Sequence, residues 1–523
     1  MKKNLVALVM GILMMTSIFA GCSQKKEETS IKDSNQKSIV YGSATDYARI
    51  NPALDEHAEI HKLIFSGLTK HDENAKVVPA LAKSWEYDSA NMIYTFKLRD
   101  DVKWHDKKPF TAEDVKFTIE AIKNPDNNSE ISANYAEIKE VEVVDATTVK
   151  IHLSEPCVPI LDYLSVGMLP KHILEGKDIQ NDSFNQHPIG TGAYSVSKWE
   201  MGQYIELSAN KDYYEEVPKI EKVTFKILED EKTRAMQLKS GEIDLAQLEP
   251  KDIPGFEKNE KVKLYNEKTA DYRGLMFNFR NPILKDLAVR QAISYALDRN
   301  EIVDKVLDKM GKPAYGPLQM GAYDNANMEK YEFNPQKSKE ILESAGWKLG
   351  KDGIYEKDGK KLSFRITCFE GDPVRENIGT ASAQYLKNIG IEGKVEVVPQ
   401  GSVEWDKLDT FLIGWGSPFD PDDHMYKVFH SSQIETGMNL NAYVDKDVDE
   451  ALKRARTSED DSIRVQEYLK AQEAMGKNPP FAFIAYVDAV YGANSKIRGI
   501  KDTVLGHHGV GFLWNVNEWD IEE

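Results

Sequence analysis

The chain has 523 residues, with 67 lysines and arginines against 85 aspartates and glutamates, and a net charge of −18 at pH 7. Such an acidic surface argues against nucleic acid or an anionic membrane surface as a partner, because both repel negative charge. The length predicts two or three domains, and three cysteines exclude a disulfide framework.

The N-terminal residues have the organisation of an export signal. Lys2 and Lys3 precede an apolar run from Leu5 to Met15, and small or weakly polar residues follow as far as Gly21. The run is shorter than the roughly 18 to 20 residues that cross a bilayer. We therefore predict a signal peptide over residues 1–21; the alternative is a short membrane anchor that is never removed.

The string Ile18-Phe19-Ala20-Gly21-Cys22 resembles the lipobox of bacterial lipoproteins. The resemblance implies that Cys22 carries a diacylglycerol and becomes the first residue of the processed chain. Two or three acyl chains anchor a protein stably, where one binds only marginally. We expect an extracytoplasmic protein that this lipid anchors to the outer face of the cell membrane.

Residues 22–38 predict a flexible tether. They are almost all polar or charged, so they bury too little apolar surface to offset the entropy of ordering. Beyond the tether, Cys157 and Cys368 stand far apart. We interpret both as small apolar core residues rather than metal ligands.

Strands and helices alternate along the rest of the chain, which predicts the α/β class. Thr111 and Asp114 have the spacing of a capping box before a helix over 113–122. The apolar periodicity predicts further helices at 55–68, 232–240, 287–307, 337–345 and 375–389. Alternation predicts strands at 39–42, 93–98, 140–144, 148–153, 220–228, 274–279, 362–367 and 393–398.

Several strings then point to a known family. They are Ala80-Leu-Ala-Lys-Ser-Trp-Glu, Tyr94-Thr-Phe-Lys-Leu-Arg-Asp-Asp-Val-Lys-Trp-His-Asp, Pro109-Phe-Thr-Ala-Glu-Asp-Val, Pro188-Ile-Gly-Thr-Gly-Ala-Tyr, Leu238-Lys-Ser-Gly-Glu-Ile-Asp, Val289-Arg-Gln-Ala-Ile-Ser-Tyr-Ala-Leu-Asp-Arg, Ala345-Gly-Trp and Ile413-Gly-Trp-Gly-Ser-Pro-Phe-Asp-Pro. In this order, over essentially all of 39–523, they resemble the bacterial extracellular solute-binding proteins of family 5. These are the binding lipoproteins of oligopeptide, dipeptide and nickel ABC importers.

The resemblance implies a two-lobe flytrap of the periplasmic-binding-protein type (type II, cluster C) with an extra lobe. Lobe I would be discontinuous and comprise 39–78, 190–284 and 501–523. The extra lobe would be 79–189, and lobe II 285–500. A ligand that contacts both lobes would favour the closed form and so report loading to the importer.

The resemblance leaves two ligand classes open. We expect short peptides, which the protein would deliver to the permease and ATPase subunits of an importer. The alternative is a nickel chelate. We expect a monomer without a cofactor, and no nucleic acid partner.

The loop after residue 414 carries the first group of candidate ligand-binding residues. In Trp415-Gly-Ser-Pro-Phe419-Asp-Pro the two aromatic residues would form walls, as in nickel binders. Peptide binders place an amino-anchoring Asp three residues after the Trp, where this chain has Pro418. The anchor would therefore be one of Asp420, Asp422 and Asp423.

Four other residues fall in family regions that lie near the ligand. Arg273 could form a bidentate pair with a ligand carboxylate, or pair instead with Asp271 or Glu267. Tyr135, Tyr272 and Tyr486 are candidate aromatic contacts. The two arginines that nickel binders use for the chelator are missing from 126–135 and 162–170, which favours peptide.

The nickel alternative depends on histidines, because imidazole nitrogen is a good ligand for nickel. His57 and His61 are four residues apart and would share a helix face, either as ligands or as half-exposed surface residues. His57 is also a candidate contact for a peptide. His424, His430 and His508 are the other candidate metal ligands, although the first two could be rim residues.

A secreted hydrolase is a distant alternative. The sequence has no Gly-x-Ser-x-Gly elbow and no phosphate-binding Gly-Lys-Ser/Thr. With 85 carboxylates, neighbouring acids such as Asp422 and Asp423 arise by chance. We therefore expect no enzymatic activity.

Overall fold

Three β-sheets organise the structure, a computed structural model that describes residues 36–55, 58–318, 321–435 and 437–522. The chain from Lys37 onward packs as one unit. Among the residues described, no helix has both the length and the apolar character that a bilayer crossing requires. The signal peptide, nearly all of the tether and Cys22 lie outside the described residues.

The first sheet has seven strands within the described residues and mixes parallel and antiparallel pairs. Its strands, in spatial order, are Val262–Glu267, Ala489–Asn494, Leu245–Leu248, Ser38–Ser43, Lys222–Ile227, Tyr204–Ala209 and Tyr194–Glu200.

The second sheet has six strands within the same residues. In spatial order they are Gly311–Pro313, Phe481–Val487, Tyr272–Phe277, Thr410–Trp415, Ser363–Phe369 and Glu392–Val398. Alternate residues of Tyr272–Phe277 supply two different hydrophobic cores, with Leu275 and Phe277 in one and Tyr272 and Met276 in the other. This follows from the two-residue period of a strand, so both faces of the sheet are covered.

The third sheet is antiparallel and packs against the helix Ala112–Lys123. Its strands, in spatial order, are Ala82–Asp88, Ile93–Leu98, Thr148–Leu153 and Ile138–Asp145. The helix begins with the predicted capping box, since Thr111 and Asp114 exchange side-chain and backbone bonds. The third sheet shares a continuous hydrophobic core with the first.

Helices and short strand pairs complete the described structure. The helices are His61–Ile64, Ala112–Lys123, Ile160–Tyr163, Lys171–Leu174, Glu231–Ser240, Leu287–Ala296, Arg299–Lys305, Pro335–Ser344, Pro373–Asn388, Asp422–Phe429, Lys446–Thr457 and Asp461–Lys477. The short strands are Thr69–His71 with Val77–Pro79, Ile497–Arg498 with Asp520–Ile521, and Lys348–Leu349 with Tyr355–Lys357 and Lys360–Lys361. Cys157 and Cys368 are buried free thiols, as predicted.

Two of the predicted helices differ from the structure. The helix over 287–307 is two helices, because Leu297 is extended and the Asp298 side chain accepts from the Glu301 N–H to start the second. The helix over 55–68 is reduced to His61–Ile64 among the described residues. There the Ile64 carbonyl accepts from Gly192 N at 2.8 Å. A Cβ on Gly190 would lie 1.9 Å from the same oxygen.

Two neighbouring segments connect the first sheet with the second, after Glu267 and after Val487. Thr269 Oγ1 donates to the Val487 carbonyl at 2.5 Å, and Val487 N donates to the Asp271 carbonyl at 3.0 Å. Strand Tyr272–Phe277 therefore belongs to the second sheet, whereas the sequence-based boundary at 284 puts it in lobe I. Conversely, Ala489–Asn494 belongs to the first sheet, although the boundary at 500 assigns it to lobe II.

Candidate functional site

A cavity of about 590 Å³ opens where the first, second and third sheets approach one another. Four parts of the chain form most of its wall: the segment 61–73, the segment 131–167, the loop 416–423 after the second sheet, and the C-terminal segment 501–518. The volume lies in the range of small-molecule sites, about 300–1,000 Å³.

Phe419 contacts two side chains of the segment 61–73 on the cavity wall. Its ring stacks on the His71 ring with centroids 3.7 Å apart and planes at 14°. Lys62 Nζ lies 5.1 Å from the centroid of the same ring. His71 is oriented by Asp162, whose Oδ1 is 2.9 Å from Nε2. The predicted aromatic wall residue therefore lines the cavity.

The imidazole of His507 lies on the cavity wall and bonds to a buried carboxylate. His507 Nδ1 is 2.8 Å from Asp271 Oδ1, and the other oxygen, Oδ2, accepts from the His508 backbone N–H at 3.0 Å. Because a carboxylate only accepts, Nδ1 carries the proton. In the neutral ring the lone pair is then on Nε2.

Arg273 completes this network and does not reach the cavity wall. Its Nη1 lies 2.5 Å from Asp271 Oδ1, and both side chains are buried. Burial alone would raise the pKa of Asp271, but the Arg273 guanidinium and His507 hold it well below its usual range. Burial lowers the pKa of His507, against the opposing effect of Asp271. Arg273 thus has the intramolecular partner that the sequence offered as its alternative.

His61 presents a second imidazole to the cavity. Its Nε2 is buried and has no hydrogen-bond partner among the described residues. Burial lowers the pKa of His61 to about 4. The ring is therefore neutral at pH 7, which is the protonation state that binds metals.

Glu59 holds together the two segments that carry these imidazoles. Its Oε2 and Oε1 accept from Gly511 N at 2.5 Å and from Leu513 N at 2.6 Å. Burial raises the pKa of Glu59, and the two backbone N–H donors oppose the rise. This bridge fixes the C-terminal segment against the start of the cavity-lining segment 61–73.

The three candidate amino-anchoring carboxylates have protein partners. Asp420 pairs with Arg464 and lines the cavity; burial raises its pKa to about 7, against the effect of Arg464. Asp422 is buried and accepts from the Tyr163 hydroxyl at 2.7 Å. Asp423 lines the cavity and accepts from an amide N–H of Asn134 at 3.4 Å.

The other predicted aromatic contacts are distributed between cavity and core. Tyr135 lines the cavity and donates to the Tyr163 carbonyl at 2.5 Å. Trp415 ends a strand beneath the cavity loop, and its ring stacks with His507 at 6.3 Å. Tyr272 and Tyr486 are fully packed in the core of the second sheet, with ring centroids 6.3 Å apart, rather than among the lining residues.

The histidines predicted for nickel also separate. His424 is buried in the helix Asp422–Phe429, and His430 caps a turn and stacks on Tyr426 at 4.3 Å; neither lines the cavity. His508 is not a lining residue, because residues 507–509 form a tight turn with His508 at φ 56° and no strand. His57 lies outside the described residues.

Sequence reasoning gave no role to Lys62, His71 or Glu59, and passed over His507 in favour of its neighbour. The spacing of His57 and His61 drew attention to the right segment, but the helix assumed there was too long. These side chains could be recognised only from the structure, in which residues 507–513 approach residues 59–62. No local sequence pattern encodes that approach.

Comparison with known proteins gives consistent matches. The profile described as "Bacterial extracellular solute-binding proteins, family 5 Middle" matches residues 76–436. The oligopeptide-binding protein AppA of Bacillus subtilis is 33% identical over 547 residues, covering 99% of each chain. A putative ABC transporter peptide-binding protein of Brucella ovis is 30% identical and covers 83% of this chain and 84% of its own.

Solved structures agree in fold but differ in what they hold. NikZ of Campylobacter jejuni in complex with Ni(L-His) is 44% identical, with a TM-score of 0.87, covering 93% of this chain and 99% of that chain. AppA of Bacillus subtilis in complex with a nonapeptide is 31% identical, with a TM-score of 0.83, covering 93% and 100%. The two-lobe fold expected from the sequence is confirmed by these matches.

Proposed function

The chain belongs to the bacterial extracellular solute-binding proteins of family 5, and on that premise we propose that its ligand is a nickel ion in a small-molecule chelate. The family binds solutes and does not consist of enzymes. The chain is the substrate-binding component of an ABC importer. The proposal concerns which solute it captures.

The observation that carries the proposal is the pairing of His507 with Asp271 on the cavity wall. A metal-binding histidine characteristically donates its other ring N–H to a carboxylate, which fixes the tautomer and makes the ring a better ligand. Asp271 does this for Nδ1 and so makes Nε2 the coordinating nitrogen. Imidazole nitrogen suits nickel.

His61 adds a second neutral imidazole to the same cavity. Among the described residues, no group of three or more His, Cys, Asp or Glu side chains could hold a metal ion, so a chelator would have to supply most of the nickel ligands. The cavity volume suits a complex of that size. The relative that is 44% identical was solved with nickel and L-histidine, which makes an amino acid the first chelator to test.

Calorimetry tests the proposal on ligand-stripped protein. Nickel with L-histidine should give a saturable heat, and di- to nonapeptides in the presence of EDTA should give none. The variant His507→Gln should lower the affinity at least tenfold, because the amide is a poor nickel ligand. Peptide binding that persists in EDTA, with no response to nickel, would overturn the proposal.

A matched control uses a histidine outside the cavity. His152 also pairs with a carboxylate, with Nε2 3.1 Å from Glu142 Oε2, on the inner strand Thr148–Leu153 of the third sheet. His152→Gln should bind the nickel complex as the wild type does. If both variants lose affinity equally, the loss is not due to a coordinating role of His507.

Short peptides remain the second candidate. Asp423 and Asp420 line the cavity and could receive an α-amino group, and AppA of Bacillus subtilis was solved with a nonapeptide. Against this, Asp420 is already paired with Arg464 and Arg273 with Asp271. An α-amino group at Asp420, or a carboxylate at Arg273, would therefore have to displace an ion pair, which weighs against these two residues as peptide anchors.

The export and anchoring expected from the sequence belong to the same proposal. Cys22 would carry lipid on the outer face of the membrane and keep a monomer near the permease and ATPase subunits. Metabolic labelling with a radioactive fatty acid should mark the wild type and not Cys22→Ser. Labelling of the variant would place the lipid elsewhere.

A further inference from the structure

Lys62 is a cation directed into the cavity from the short helix His61–Ile64. Its ammonium group lies over the Phe419 ring, 5.1 Å from the ring centroid. The side chain is exposed and lines the cavity.

The other lysines of the cavity wall have carboxylate partners. Lys70 Nζ is 2.5 Å from Glu215 Oε1, and Lys501 Nζ is 2.7 Å from Glu518 Oε2. Among the described residues, no carboxylate forms an ion pair with Lys62. Glu59, the acid nearest in sequence, directs both oxygens to the backbone N–H groups of Gly511 and Leu513.

The ammonium group of Lys62 therefore has no anionic partner among the described residues. The ring face of Phe419 attracts the ammonium group but carries no net charge to neutralise it. A carboxylate brought in by the ligand would supply that charge through a charge-assisted hydrogen bond. No arginine side chain lines the cavity among the described residues.

We infer that Lys62 binds a carboxylate of the ligand and thereby selects anionic chelators. The inference rests on the proposed function and deepens it: nickel would be carried by an amino-acid-type chelator whose carboxylate points to Lys62 while the metal faces His507.

The test compares two chelators that differ by the carboxylate alone. L-histidine and histamine share an imidazole and an amine, and only L-histidine has the acid. Wild-type protein should bind preformed nickel–histidine roughly 10- to 100-fold more tightly than nickel–histamine, the usual worth of a charged hydrogen bond. Lys62→Met should reduce this preference to within about threefold. Wild type and Lys62→Met are titrated with the same two solutions. The difference in stability between the two nickel complexes therefore cancels when the affinity ratios of the two proteins are compared.

Two further variants make the result specific. Lys62→Arg retains the charge and should retain most of the preference. Lys263 lies 4.3 Å from the Tyr265 ring centroid, outside the cavity, so Lys263→Met should behave as wild type. Thermal unfolding confirms that each variant is folded.

The outcomes separate the inference from its premise. If Lys62→Met keeps the full preference for nickel–histidine, or loses affinity for both complexes equally, Lys62 does not bind the carboxylate. If wild-type protein binds neither complex, the proposed nickel function fails, and the assignment of Lys62 fails with it.

Discussion

The Tyr163 hydroxyl donates a 2.7 Å hydrogen bond to Asp422 Oδ2 and joins two walls of the cavity. Tyr163 ends a short helix that packs against the strand Thr69–His71, and Asp422 begins the helix that follows the second-sheet loop. Both residues are buried, and Arg456 Nε lies 3.8 Å from the same oxygen. Burial raises the pKa of Tyr163, with Asp422 adding to the effect, so the phenol remains a donor at neutral pH.

Tyr163→Phe should therefore weaken ligand binding more than it weakens folding. The bond joins the segment 131–167 to the helix after the loop 416–423, so we expect its loss to raise the free energy of the closed form by about 1–2 kcal/mol. We expect the dissociation constant measured by calorimetry to rise roughly 5- to 30-fold. Most of this rise should come from faster dissociation of the ligand.

Tyr194→Phe is the control, because Tyr194 donates to the Ile220 carbonyl at 3.1 Å within the first-sheet region. It should cost stability without changing affinity. Equal affinities for wild type and Tyr163→Phe would mean that the bond forms in the open state as well.

Asp271→Asn should destabilise the protein strongly. It removes the charge that Arg273 and His507 surround and leaves a buried guanidinium without its partner, a loss of about 3–5 kcal/mol. Urea unfolding measures it. The amide would also favour the other His507 tautomer, so nickel affinity should fall.

Asp488→Asn is the matched control, because Asp488 lies in the other segment that connects the first sheet with the second. Its partner Lys268 is largely exposed, with Nζ 2.5 Å from Oδ2, and exposed pairs contribute about 0–1 kcal/mol. Similar losses for the two variants would contradict the central role given to Asp271.

Stability should fall as the pH is lowered from 6.5 towards 4, partly through His424. Burial lowers the pKa of His424 to about 4, against smaller opposing effects from the Pro317 carbonyl and Asp271. Below pH 6.5 the unfolded chain takes up a proton that the folded chain does not, so unfolding becomes easier until the pH reaches the folded value.

At pH 5 this difference amounts to about 2 kcal/mol for one histidine. Between pH 7.5 and 5, wild-type protein should lose about that much more unfolding free energy than His424→Gln. His105, whose pKa burial also lowers to about 4, offers an independent repeat as His105→Gln. Parallel pH profiles for wild type and both variants would contradict this reading.

The fold was predictable because its signals are local or belong to the family. The capping box at Thr111 and the alternation at 93–98 and 148–153 depend on neighbours in sequence, and the motif strings specified the family. The boundaries between the lobes were harder to predict. The strands Tyr272–Phe277 and Ala489–Asn494 each begin directly after the chain passes from one sheet to the other.

The site was less predictable, because its key contacts join distant residues. His507 and Asp271 are separated by 236 positions, and no periodic pattern connects them. Phe419 was found because the loop motif names it, whereas Arg273 was placed near the ligand without knowledge of its internal partner. The turn at 507–509, with His508 at φ 56°, reversed which of two adjacent histidines lines the cavity.

Anomalous diffraction at the nickel absorption edge, from crystals grown with nickel and L-histidine, tests the chelate proposal most directly. We predict one strong peak within bonding distance of His507 Nε2, about 2.0–2.2 Å, with the chelator carboxylate against Lys62. Peptide density in the cavity without an anomalous peak, or a peak remote from His507, would contradict the proposal.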